Sequence, residues 1–319
     1  MNYIVFDLEW NQSQGGKKYS NSRLPFEIIE IGAVKMNEKR EPVDVFQRLI
    51  KPQVYNWIHD SIHEVIHVDY KDLADGLPFP EAVREFLDWC GDDFAFFTWG
   101  NQDVMELQRN MKYYDLLFLL PGPVKYYDVQ KVFGMCCKEA GGRRSLEFAI
   151  DQLDIPKEQT FHRALTDARY TAMVLKWVDE KTLFTNYSMD VYQNPKKKKD
   201  ELFLSYPDHD QYVSREFTDR DKIMRDREVT STKCPICHLP AKRKIRWFMN
   251  NSKAYESISL CQKHGYVKGK IRIRHTEEDR YYVIKTLKNV GNEKAEEIRE
   301  KRDSLRKKRQ IKRKSEKQI

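Results

Sequence analysis

Apolar and polar positions alternate from the first residues of the chain. In MNYIVFDLEW, Ile4, Phe6 and Leu8 share one face of an extended segment and Asp7 and Glu9 share the other, about 7 Å apart along the chain. The same reading predicts strands in EIIEIGAVKM (27–36) and DVFQRLIKP (44–52), separated by the turn-like NEKREP. The period then changes, because Val83, Phe86, Leu87 and Cys90 recur at helical spacing in FPEAVREFLDWCG. A short apolar strand, FAFFTWG, follows, then a helix over about 102–114, a strand around VKYYDV, and helices near 145–153 and 163–179. Strands first, then helices alternating with strands, predict an α/β or α+β layer around a mixed sheet. From NPKKKKDELFLSYPDHD to Arg227 the periodicity fades into a charged stretch that reads as a linker.

Charge divides the chain more sharply than hydropathy does. Residues 1–190 hold 22 Lys+Arg against 30 Asp+Glu, residues 191–230 hold 9 against 9, and residues 231–319 hold 26 against 10. An acidic body with a strongly basic tail suggests a nucleic-acid or anionic partner for the tail, with a solubilising tail as the plain alternative. Asp7 and Glu9 interrupt the first apolar run, so it does not read as a signal peptide, and no stretch nears the roughly 18 apolar residues of a membrane span. The expectation is a soluble cytoplasmic protein with no membrane partner. Cys90, Cys136 and Cys137 lie in apolar or helical contexts and read as reduced core thiols.

Two acids in the middle of an apolar strand read either as the wet face of a half-buried strand or as a pair that calls for partners. Asp103, in TWGNQDVMEL, stands just past a strand at the opening of a helix, where ligand sites of open α/β sheets gather. In FHRALTDARYTAMVL, His162 precedes a helix and Asp167 lies in its first turns, beside the apolar stripe Leu165, Ala168, Ala172 and Leu175. Four carboxylates and one imidazole suit two-metal phosphodiester hydrolysis. Two divalent ions about 3.5 to 4 Å apart stabilise the attacking and leaving oxygens, and Mg²⁺ takes carboxylate oxygens and waters. An imidazole, whose ordinary pKa lies near 6.5, is suited to accept the proton of the attacking water. Asp128 in YYDVQK reads as a hydrogen-bonded structural aspartate. Arg143 and Arg144 in GGRRS read equally as holders of a substrate phosphate or as a solvated loop.

FDLEW, WGNQD and HRALTD, in that order, resemble the three motifs of the DEDDh exonucleases, an RNase H-like group that includes RNase T and oligoribonuclease. TWGNQDV is most similar to the subgroup of the histone-mRNA 3′-exonuclease and KapD. The resemblance covers about residues 1–182 and implies a mixed five-stranded sheet flanked by helices. It also implies hydrolysis from the 3′ end of single-stranded RNA or DNA, releasing nucleoside 5′-monophosphates. By the same resemblance, Asp7, Glu9, Asp103 and Asp167 are ligands of two Mg²⁺ or Mn²⁺ ions and His162 is the general base. One departure is Val65, Ile66, His67, Val68 and Asp69, which stand where the family often has a Leu-Thr-Gly-Ile-Thr-like segment against the terminal nucleotide.

The tail has a spacing of its own. Cys234 and Cys237 in CPIC, then Cys261 and His264 in CQKH, match a closed tetrahedral Zn²⁺ site, with His238 and His275 as alternative fourth ligands and buried free thiols as the plain alternative. KRKIRWFM, NNSK and AYESISL between them read as strand, turn and strand, which resembles a zinc ribbon. Lys242, Arg243, Lys244, Arg246 and Trp247 mix cations with an aromatic ring, as nucleic-acid surfaces do, and KGKIRIRH continues the pattern. LKNVGNEKAEEI reads either as an ordinary helical hairpin or as a helix-hairpin-helix phosphate-binding turn, which it resembles with Asn289 in place of the usual glycine. The expected organisation is an exonuclease domain over 1–186, a charged linker over 187–230, a zinc-ribbon-like module over 231–275 and a basic helical tail over 276–319. Two rivals are a nucleic-acid-binding adaptor that uses the nuclease fold as a platform, and proofreading beside a polymerase.

Overall fold

The computed structural model describes residues 1–60, 62, 70–158 and 160–315, and the Val65–Asp69 departure lies outside them. The chain forms two compact units, Met1–Gln193 and Asn194–Ile319.

In the first unit the strands are β1 (Asn2–Gln12), β2 (Phe26–Met36), β3 (Pro42–Leu49), β4 (Phe94–Thr98), β5 (Val124–Asp128) and β6 (Ser188–Asp190). They lie in the order β3-β2-β1-β4-β5-β6. β4 runs parallel to both β1 and β5, and the other pairings are antiparallel. The mixed sheet therefore has six strands where five were expected. The extra one, β6, is a three-residue edge strand too short to show a period. After a short helix at Tyr70–Ala74 come α1 (Phe79–Cys90), α2 (Gln102–Tyr113), α3 (Val129–Cys136), α4 (Leu146–Gln152), α5 (Ala164–Trp177) and α6 (Glu180–Thr185).

Both faces of β1 are buried, which excludes a strand with one wet side. Ile4, Phe6 and Leu8 pack with Val83 and Phe86 of α1 and Val104 and Leu107 of α2. On the other face Tyr3 and Val5 pack with Ala168 and Leu175 of α5. Each such apolar side chain contributes about 1.5 to 3 kcal/mol by leaving water. Asp7 and Glu9 continue the Tyr3 and Val5 face, at the end of the strand where the packed layer of α5 gives way to a cleft.

The second unit is a sheet of β7 (Leu202–Ser205), β8 (Asp210–Val213), β9 (Lys242–Met249), β10 (Tyr255–Cys261), β11 (Gly265–His275) and β12 (Tyr281–Val290), in the order β7-β8-β12-β11-β10-β9. All its neighbours are antiparallel. Two single-turn helices, α7 (Arg220–Ile223) and α8 (Arg227–Thr230), precede β9, and α9 (Asn292–Ser315) follows β12.

The structure beyond residue 186 corrects three expectations. Residues 187–230 are not a linker, since they carry β6, β7, β8, α7 and α8. Nor do 231–275 and 276–319 form a separate module and tail, since β12 pairs with β11 on one side and with β8 on the other. The four-residue strands β7 and β8 are too short to show alternation, and their register comes from β12, about 70 residues away. LKNVGNEKAEEI is the end of β12 and the start of α9, so neither hairpin reading holds. The expected basic helix is present in α9, where Ala295 and Ile298 pack on Ile245 and Ile258. Among the described residues no helix is long and apolar enough to cross a membrane.

Candidate active site

The pairing of β1 with β2 sets Asp7 opposite Gly32 and Glu9 opposite Glu30. Gly32 is required there. A Cβ on it would fall 2.0 Å from the Leu165 nitrogen and 2.2 Å from the Ala164 carbonyl carbon, so only glycine lets α5 begin directly on the sheet. Within its first turn α5 carries Asp167 to the acids of β1. One carboxylate oxygen each of Asp7, Glu9 and Asp167 lie within 4.8 Å of one another.

Asp103 is 5% exposed in the first turn of α2, where the Leu8 backbone N–H donates to its carboxylate. It lines the same cleft, of about 410 Å³, with Asp7, Glu9, Asp167, His162 and Arg143. It stands outside the tight trio of oxygens among the described residues. His162 is exposed in a left-handed turn at φ 66°, and its backbone N–H donates to Asp167 Oδ2 at 3.1 Å. Asp167 thereby holds the turn that presents the imidazole. Its Oδ1 is buried without a hydrogen-bond partner.

The acids crowd one another. Burial, then the charges of Asp103, Glu9 and Asp167, push Asp7 well above the usual carboxylate range. Burial with Asp167 and Glu30 raises Glu9 to about 8. Burial raises Asp103 to about 7 against two backbone amides, and Asp167 to about 6 against the His162 amide. An orphaned buried oxygen among acids that resist ionisation fits divalent cations in the cleft.

Two neighbours escaped the sequence reading. Glu30, 1% exposed, accepts from Arg163 Nε at 3.0 Å and Nη2 at 3.3 Å, and from Gln47 Nε2 at 2.6 Å. This bidentate pair ties the residue before α5 to the sheet. The available signal was an acid inside the apolar run EIIEIGAV.

The arginines of GGRRS part company. Arg143 reaches the cleft wall, braced by Asp128 Oδ2 at 2.5 Å and Gln130 Oε1 at 2.6 Å. Arg144 donates to the Ala140 carbonyl at 2.5 Å and lies over the Phe148 ring. Asp128 is fully buried and caps α3 through the Lys131 N–H at 2.9 Å.

In the second unit the ligand atoms of Cys234, Cys237, Cys261 and His264 all lie within 4.8 Å of one another. Cys237 Sγ is 3.7 Å from Cys261 Sγ, close to the roughly 3.8 Å edge of a tetrahedron with Zn–S bonds of about 2.3 Å. Burial opposes ionisation of Cys261, but the Lys263 and His264 amides help to lower it to about 6, which suits a thiolate ligand. These four residues fit a Zn²⁺ ion. His238 instead pairs with Asp210 and His275 with Asp279, and neither joins the cluster. Asn289 donates to the His264 carbonyl at 3.2 Å and to Cys234 Sγ at 3.9 Å, bracing the cluster from β12. Lys242, Arg243, Lys244 and Arg246 are exposed on β9. Trp247 is partly buried, donating to the Thr230 carbonyl at 2.9 Å and packing against Gly269.

A mixed sheet with clustered acids at the end of its first strand, beside a histidine, is the arrangement of an RNase H-like fold. The RNase_T family model, described as Exonuclease, matches residues 4–175, and the chain belongs to this family. No curated protein matches the chain. Among solved structures, the nuclease domain of 3′hExo, a DEDDh family member bound to rAMP, is 17% identical, with 55% of this chain and 90% of that one covered and a TM-score of 0.47. S. pombe Pop2p, in its Mg²⁺- and Mn²⁺-bound form, is 17% identical over 55% and 81%, at 0.41. Exonuclease I is 10% identical over 67% and 55%, at 0.48.

Proposed function

We propose that the first unit is a 3′-to-5′ exonuclease that removes nucleoside 5′-monophosphates from single-stranded RNA or DNA. The observation that carries this reading is the meeting of Asp7, Glu9 and Asp167 within 4.8 Å in one cleft with Asp103 and His162. Asp7, Glu9, Asp103 and Asp167 would hold two Mg²⁺ or Mn²⁺ ions, which when bound supply charge stabilisation at the attacking and leaving oxygens of the phosphodiester. His162, exposed on its turn, accepts the proton of the attacking water. Asp167 fixes that turn through Oδ2 and keeps Oδ1 for a cation. Arg143, braced by Asp128 and Gln130, offers its guanidinium to a substrate phosphate on the cleft wall.

Cys234, Cys237, Cys261 and His264 would hold one structural Zn²⁺, since four protein ligands leave no position for water. The cations of the second unit give the nucleic acid its affinity. The test uses 5′-labelled strands with free or blocked 3′ ends, in Mg²⁺ or Mn²⁺. The reading expects a ladder that shortens from free 3′ ends and is absent in Asp7→Ala. Equal degradation of blocked strands contradicts the direction, and tight binding without cleavage in either metal supports the adaptor instead.

A further inference from the structure

The outer edge of the second sheet is β9, and a groove of about 550 Å³ lies beside it. Arg243, Lys244, Arg246, Ser231, Thr232 and Ser259 line it, with Pro240 and Ala241, and no carboxylate does. The larger contrast is with the 320 Å³ hollow around Lys285, whose wall includes Asp210 and Glu228. Arg243, Lys244 and Arg246 form no ion pair among the described residues.

Regular strand geometry would send Arg243 and Lys244 to opposite faces. The register prevents this: Ile245 pairs with Ile258 and Arg243 with the next residue, Ser259, so Lys244 is an extra residue in the ladder. Such a bulge re-aims a side chain, and here it turns two adjacent cations into one groove. Ser259 is 1% exposed, and its hydroxyl has no hydrogen-bond partner. A buried hydroxyl left unpaired opposes folding unless a partner satisfies it. Three cations without a carboxylate among the groove's lining residues, beside a serine whose hydroxyl is unpaired, suit an oxyanion.

We propose that the bulged groove of β9 is a phosphate subsite that grips the backbone of a nucleic-acid strand, with Arg243, Lys244 and Arg246 as its charges and the Ser259 hydroxyl as its donor. The proposal rests on the nuclease reading for the identity of the polyanion, and it adds the place where the second unit holds it. Cations on an edge strand also guard against strand-to-strand association. That role needs neither the concavity nor the hydroxyl.

The experiment uses the full chain carrying Asp7→Asn, so that bound substrate is not degraded, and a fluorescein-labelled single strand titrated over a range of salt. Adding Arg243→Gln, Lys244→Gln and Arg246→Gln should flatten log K against log salt by about 2, at about 0.7 per phosphate contact. Ser259→Ala should weaken binding several-fold while leaving Tm unchanged or raised, because an unpartnered hydroxyl is lost. Unchanged slope and Kd in the triple variant, or parental affinity in Ser259→Ala, would overturn the subsite. Equal competition by poly-glutamate would overturn it too, and assign the groove to an acidic protein. Hydrolysis of the same strand by the chain with native Asp7 separates the two failures. Degradation with an unchanged slope sinks the groove alone, and a flattened slope without degradation sinks the nuclease reading alone.

Discussion

The two units each gather side chains able to hold a metal, and do so in opposite ways. In the first, the hard carboxylates of Asp7, Glu9 and Asp167, half-buried and mutually repelling, meet on the wall of an open cleft that buried Asp103 also lines. In the second the donors are three thiols and an imidazole, with Cys234 and Cys261 buried and Asn289 bracing the set. The surroundings differ as much, since residues 1–193 hold 22 Lys+Arg against 30 Asp+Glu and residues 194–319 hold 35 against 19. Access separates the two: the acids face an open cleft, and the thiols close on one another.

Disrupting the closed cluster should have the largest effect. Structural sites of this kind bind Zn²⁺ with about 10 to 16 kcal/mol near neutral pH. Cys234→Ser should abolish zinc in the purified chain by metal analysis and unfold the second unit, while the first unit still hydrolyses a dinucleotide. Retained zinc at one ion per chain would contradict this.

Breaking the open cluster should leave the fold and remove the reaction. Asp7→Ala and Asp167→Asn are each expected to lower the single-turnover rate by about 10³-fold or more, the upper scale for losing a preorganised catalytic charge. Their melting temperatures should not fall. His162→Ala should cost about 10² to 10⁴ in the chemical step without weakening Mn²⁺ binding. A matching loss of Mn²⁺ affinity would place His162 among the ligands instead.

Gly32→Ala tests the seat of the open cluster. The methyl group meets backbone rather than a flexible side chain, so α5 must shift, at a cost of about 1 to 3 kcal/mol in stability and a drop in kcat.

The smallest effect is electrostatic. Asp7, Glu9, Asp103 and Asp167 all have folded values above their ordinary ones, so ionising them opposes folding. Their penalty is absent below about pH 4, the ordinary carboxylate range, and grows to about pH 8, where Glu9 titrates. With divalent cations removed from the cleft but zinc retained, these groups should make the chain less stable as pH rises through that window. Asp7→Asn should raise Tm at pH 8, and a lowered Tm would show that the acids are not in conflict.

Much of the first unit was legible because its helices and strands are long enough to show their periods. β2, α2 and α5 fall within a few residues of their expected bounds. The acids were legible because Asp7 and Glu9 contradict the apolar pattern around them. Glu30 and Arg163 were not, since their pairing joins residues 133 apart. In the second unit the cysteine spacing marked the cluster, but the sheet did not show. Its order depends on β8 finding β12 across the intervening strands, and four-residue strands carry too little pattern to say so. The partial burial of Trp247 and the bulge at Lys244 are likewise products of register.

In the proposed reaction the acids of the cleft cut the last phosphodiester of a strand. The direct measurement follows a strand labelled only in its 3′-terminal nucleotide, in Mg²⁺, and identifies the first labelled product. Release of a labelled nucleoside 5′-monophosphate by the native chain, and none by Asp7→Ala, is the predicted result. A labelled oligonucleotide as the first product, or equal release by Asp7→Ala, would contradict it.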